Sequence, residues 1–393
     1  MPEDPPYRFA LAASSAPSRR NRIGSGTNRA GLLVLALLMT SALATLGAGG
    51  QALAQTAGDS VTESSPEAGN VPGGSLGTLS DADIWREVRR GLQGSVSIPD
   101  KQAGVMIQSE GDNWRAWRNG PVTVGGAWAV LGMIGLLALF FVLRGRIKIE
   151  AGPSSRTLER FNGIERFAHW LTAVSFILLA VTGLNMLYGR HVLLPILGPN
   201  VFATLTLGGK YVHDFVSFAF MVGIVLMIVL WVRHNLPTRA DLTWLAKGGG
   251  LLVAGVHPPS HKFNAGQKIV FWIVVLGGLS LTISGLALLF PFKFPLFSAT
   301  FAVLNVFGFG LPTDLAPIHE MQLSQVWHTV LGLLMIAIIV AHIYIGSLGM
   351  EGAFDAMGTG LVDENWAREH HNLWVAELKN EMAAGHGAAH PAE

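Results

Sequence analysis

QVWHTVLGLLMIAIIVAHIYIGSL, residues 325–348, is apolar and long enough to cross a bilayer as one helix, for which ~20 residues suffice. It carries His328 and His342, fourteen residues apart. At ~1.5 Å rise per residue they lie ~21 Å apart along the axis, and steps of ~100° return them to nearly the same face. One helix thus points an imidazole the same way at each side of the membrane. A single such histidine is as well explained by a bond to a neighbouring helix. Two in phase at opposite depths point instead to a pair of stacked haems with axial imidazoles.

Composition agrees with a membrane protein. Half of the 393 residues are hydrophobic and only 13% are charged, and mean hydropathy is positive. The net charge of +1 points to no acidic partner, and no nucleic-acid partner is expected. Cysteine is absent. That excludes disulfides, C-x-x-C-H haem attachment, cysteine-bound iron–sulfur clusters and zinc thiolate sites. A redox centre in this chain must be held by His or Met, and a haem must be of the non-covalent b type.

The spacing of apolar runs predicts an all-α membrane protein. Spans are expected near 124–143, 167–188, 212–232, 268–290 and 325–348, the first an extra span ahead of a four-helix bundle over 167–348. Residues 1–54 read as a cleaved signal peptide, with a short apolar run from Gly31 to Leu46 and Ala52-Leu53-Ala54 before Gln55; a first transmembrane anchor is the alternative. Residues 55–122 form an exported linker or docking segment, with a short amphipathic helix over Asp81–Leu92.

Lys plus Arg number six in 144–166 and five in 233–268, against two in 189–212 and one in 291–324. The positive-inside rule makes the first two loops cytoplasmic and the last two external. The mature N-terminus is then periplasmic and the C-terminus cytoplasmic, in a bacterial inner membrane. An interfacial helix is expected over Phe297–Phe307 and a soluble tail over 349–393, disordered from Met382. With this orientation His169 and His342 share the cytoplasmic side, and His213 and His328 the external side. Each side has two histidines from two helices, as a six-coordinate haem iron requires. Gly183, Gly223, Gly285 and Gly332 serve either close approach of a macrocycle or helix packing.

The order ERFAHW (165–170), KYVHDF (210–215), RHNLP (233–237), FNAGQK (263–268), WHTVLG (327–332), AHIYIG (341–346) and the tail WAREHHNLW (366–374) resembles the cytochrome b, or gamma, subunit of membrane-bound respiratory formate dehydrogenases. The resemblance covers about 160–378. It implies two b haems, held by His169 with His342 and by His213 with His328. It also implies a menaquinone or ubiquinone pocket beside the inner haem near Asn264, Gly266, Gln267 and His342. Implied partners are a catalytic molybdenum or tungsten subunit that oxidises formate, an iron–sulfur subunit and the quinone pool.

Read from its residues alone, the NAGQK loop is either a quinone site, with amide groups at Asn264 and Gln267, or a helix start. In the second reading Asn264 is the N-cap and Lys268 snorkels. The cytochrome anchor of a hydrogenase or other molybdoenzyme is an alternative assignment, and a non-redox membrane scaffold or transporter is another.

Overall fold

A computed structural model describes residues 111–388. The stretch read as a signal peptide, the helix expected over Asp81–Leu92 and most of the segment read as exported lie outside the described residues, as do residues 389–393. Among the described residues, five helices are long and apolar enough to span a membrane: Gly111–Arg144, Gly163–Val192, Leu194–Asn235, Ala265–Leu289 and Pro317–Gly349.

In chain order, α1 (Gly111–Trp117) runs through a π turn into α2 (Thr123–Arg144), followed by β1 (Thr157–Glu159). Then come α3 (Gly163–Val192), α4 (Leu194–Trp231), the short α5 (Arg239–Ala246) and α6 (Ala265–Leu289). After α7 (Leu296–Asn305), the long α8 (Pro317–Tyr344) carries the two in-phase histidines. The end of the chain forms α9 (Asp355–Gly358), β2 (Leu361–Asp363), α10 (Glu364–His370) and α11 (Asn372–Ala388).

Two expectations change. The segment 189–212, read as a loop, is almost wholly helical. Leu193 alone joins α3 to α4, and the turn is made inside α4, where Gly198 takes φ 74° ahead of Pro199. The apolar stretch 201–207 between those breakers and the third span continues the helix. The tail is also helical past Met382, because its alanines extend α11, already begun at Asn372.

The spans pack in sequence: α3 on α4, α4 on α6, α6 on α8, and α8 on α2. Small residues permit the close approaches, as expected where lipid removes most of the hydrophobic drive between helices. A Cβ on Gly223 of α4 would meet Thr172 of α3, including its Cα at 3.1 Å. One on Gly277 of α6 would meet Met335 Sδ of α8 at 2.7 Å. Gly126 of α2 faces Leu333 of α8, and Tyr188 of α3 donates to Thr123 O at 2.8 Å. The extra span is thus built into the bundle.

At the Arg144 end the loops and tail fold into a cap. β1 pairs antiparallel with β2, Thr157 opposite Asp363, and Ile147 bridges to Met350. Phe161, Trp231 and Phe263 meet with ring centroids 5.5–5.6 Å apart. Trp366, Ala367, Trp374 and Val375 are buried in the same core. His370 and His371, expected in a solvated tail, belong to this cap. His371 is 1% exposed and pairs its Nδ1 with His261 O at 2.7 Å.

Candidate functional site: two pairs of facing histidines

α3 starts where Asn162 and Glu165 cap one another. The Asn162 side chain accepts from Ile164 N and Glu165 N at 3.0 Å, and Glu165 accepts from Asn162 N at 3.0 Å. This start fixes His169 in the second turn. α8 needs no break between its histidines, so its period alone keeps them in phase.

The bundle brings the four histidines together in two pairs. The rings of His169 and His342 lie 6.3 Å apart between centroids, and those of His213 and His328 also 6.3 Å. Both pairs span helices whose backbones stay apart. α8 is packed along α6 and α2, not along α3 or α4. The separation lets facing ring nitrogens share one iron at the ~2 Å usual for a metal–imidazole bond.

The donor set fits haem iron. His213 Nδ1 lies 2.9 Å from Thr182 Oγ1, and His328 Nδ1 lies 2.9 Å from Ser284 Oγ. Each of these rings therefore keeps Nε2 for a metal. His169 Nδ1 is buried without a protein partner. Of the four glycines, Gly183 and Gly285 lie against imidazoles, their Cβ positions 3.5 and 3.3 Å from Cε1 of His213 and His328. Gly223 serves helix packing, and Gly332 faces open space.

Asn264, Gly266 and Gln267 sit at the His169/His342 end, where α6 begins. Asn264 is an N-cap: its Oδ1 accepts from Gln267 N at 2.9 Å, while Gln267 Oε1 accepts from Asn264 N at 3.1 Å. Neither amide nitrogen donates to a protein group among the described residues, so two donors stay open. Gly266 lies under the Trp244 ring. Lys268 does not snorkel. It is 5% exposed, with Nζ 2.8 Å from Asp241 Oδ2 and 3.0 Å from Leu236 O. α5 folds back over α6 and supplies that carboxylate, so the ammonium is satisfied in place.

Sequence reasoning missed the charged residues behind this loop. Arg160 donates to Gln267 Oε1 at 3.0 Å and to Lys262 O at 2.6 Å. Burial lowers its guanidinium to about 9, with Glu165 opposing the shift, so it stays cationic at neutral pH. Glu165 accepts from Lys262 Nζ at 2.7 Å and Trp231 Nε1 at 3.0 Å. From Ala265 and Lys268 an apolar cavity of about 810 Å³ runs between α5, α6 and α8 as far as Ile338.

Residues 160–360 match the family described as prokaryotic cytochrome b561. The chain belongs to that family. The match covers the four-helix bundle and both histidine pairs, and makes this family member a multi-pass membrane protein with b-type haem. It is 30% identical over 224 residues to the formate dehydrogenase cytochrome b556(fdo) subunit of Escherichia coli K12, covering 57% of this chain and 94% of that one. The nitrate-inducible formate dehydrogenase cytochrome b556(Fdn) subunit of the same organism is 27% identical over 231 residues, with 58% and 95% covered. The formate dehydrogenase cytochrome b556 subunit of Haemophilus influenzae is 23% identical over 233 residues, with 58% and 87% covered.

Proposed function

We propose that this cytochrome b561 family member is the membrane cytochrome b subunit of a formate dehydrogenase complex and delivers electrons across the bilayer to a quinone. The observation that carries the reading is one pair of facing histidines at each end of a single four-helix bundle. Bound between the pairs, two b haems supply one-electron transfer between the membrane faces. His169 and His342 would hold the inner iron and His213 and His328 the outer one, and an iron so held by an imidazole from each of two helices would serve electron transfer rather than oxygen binding.

Asn264, Gly266, Gln267 and His342 form the quinone pocket. The open amide donors of Asn264 and Gln267 hold a quinone carbonyl, and Arg160 keeps a positive charge behind Gln267. The adjoining apolar cavity gives room for the tail of menaquinone or ubiquinone. The lysines and arginines of 144–166 and 233–268 put this end in the cytoplasm, so the protons for quinone reduction come from there. Formate oxidation belongs to partner subunits, a molybdenum or tungsten catalytic chain and an iron–sulfur chain, because this chain has no cysteine to hold clusters. The names of its relatives support that assignment.

Haem content tests the reading. A pyridine haemochrome assay is expected to give two haems per wild-type chain and one in His169→Ala and in His213→Ala. His342→Ala loses the inner haem together with quinone turnover. One haem in the wild type, or an unchanged spectrum in His213→Ala, overturns it.

A further inference from the structure

We infer that Thr182 and Ser284 are positioning residues that set the potential of the outer haem below that of the inner one. The inference rests on the dihaem reading above. The Thr182 hydroxyl lies 2.7 Å from Leu178 O and 3.1 Å from Leu179 O. The Ser284 hydroxyl lies 2.9 Å from Ser280 O and 3.2 Å from Leu281 O. A hydroxyl has one proton, and here each gives it to the backbone of its own helix. Towards the imidazole each oxygen is left to accept, so Nδ1–H of His213 and of His328 is the donor.

The arrangement occurs twice. Val181-Thr182-Gly183-Leu184 in α3 serves His213, and Ile283-Ser284-Gly285-Leu286 in α6 serves His328. In each, the glycine after the hydroxyl residue lets the ring lie against the helix. The other end lacks the device. No ring nitrogen of His169 or His342 has a protein partner among the described residues, and His169 Nδ1 is buried as well.

An acceptor on the remote N–H raises the basicity of a ligating imidazole. A more basic ligand stabilises ferric over ferrous iron and so lowers the reduction potential. Two such bonds act on the outer centre and none on the inner. With the outer haem set lower in this way, passing an electron from the outer to the inner centre would run downhill toward the Asn264 end.

Redox potentiometry of the purified full chain, read from the haem absorbance bands, tests this. The wave lost in His213→Ala is the outer one and is expected at the lower potential in the wild type. Thr182→Val and Ser284→Ala each shift it upward, the double variant shifts it further, and the inner wave does not move. Ser284→Thr keeps the hydroxyl and restores the wild-type position. An outer wave above the inner one in the wild type overturns the inference. So does an unmoved outer wave in a double variant that still holds two haems, and the dihaem reading survives both results. Fewer than two haems in the wild type overturns that reading and this one with it. If Thr182→Val sheds the outer haem, the shift in Ser284→Ala alone decides.

Discussion

Asn264 and Gln267 hold each other through their oxygens and keep their amide nitrogens open, so truncating either changes two things at once. An alanine at Asn264 removes a cap, costing ~0.5–2 kcal/mol of stability. It also removes a proposed donor to the quinone, costing ~1–3 kcal/mol if a carbonyl is left unpaired, or roughly 5- to 150-fold in binding. Asn264→Asp separates the two effects, since a carboxylate still accepts from Gln267 N but has no amide donor. Its expected outcome is normal thermal stability and haem content with a quinone KM raised roughly 5- to 150-fold; a KM unchanged in Asn264→Asp places the pocket elsewhere. The four histidines were legible from period and depth alone, because a helix repeats its face every few residues whatever surrounds it. Thr182 and Ser284 were not, since a hydroxyl in an apolar run reads as an ordinary back-bonded side chain. The signal available was the matched pair VTGL and ISGL. Arg160 and Glu165 were hidden for another reason. Their partners, Gln267 and Lys262, lie about a hundred residues away in the chain.

Among the elements, the α3–α4 hairpin depends on Gly223, where a methyl group would clash with the Thr172 hydroxyl and crowd the Thr172 Cα at 3.1 Å. Gly223→Ala should part the two helices at a cost of ~1–3 kcal/mol. The loss is read as a lower melting temperature in detergent and faster haem release. α5 is tied to α6 by the ion pair of Asp241 with Lys268 and by Trp244 lying over Gly266. Burial works to raise the Asp241 carboxyl, yet bonds from Lys268 and Thr238 outweigh it and hold the group below its ordinary value. Asp241→Asn leaves the buried ammonium without its counter-charge, at a cost of about 3 kcal/mol, and should free α5 to proteolysis. The cap responds to acid through His370. Burial, followed by His257 and Arg160, lowers it to about 4, with Glu150 opposing, and burial lowers His371 in the same direction. Since an unfolded imidazole titrates near ~6.5, the unfolded cap binds more protons between the two values. The cap's full stability therefore holds above pH ~6.5 and is lost progressively as pH falls toward 4. Protection factors of the amides of residues 361–378, taken relative to the intrinsic exchange rate at each pH, should fall over that window. Protection factors that stay flat from pH 7 to 4 contradict the assignment. The spans themselves were legible to within a few residues at most ends. The cap was not, because its strands are three residues each and pair across some two hundred positions.

For the molecule as a whole, the proposed orientation rests on the distribution of lysine and arginine, and the proposed path of electrons depends on it. A cytoplasmic reporter fused at Gly249 and an exported reporter fused at Thr313 should both be active. The reverse pattern places the Asn264 end outside and inverts the direction of charge movement. The pairing of the 144–166 loop with the tail has a consequence for how the chain is made. β1 and Phe161 leave the ribosome four membrane segments before β2 and Trp366, the groups that cover them. Until the last segment is in place, the early loop waits with an open strand edge and a bare aromatic surface, the kind of surface that chaperones and membrane proteases bind. A chain stopped after Gly349 would keep every span and all four histidines and still carry that mark. Closing the cap is therefore the step that removes the open strand edge and covers Phe161.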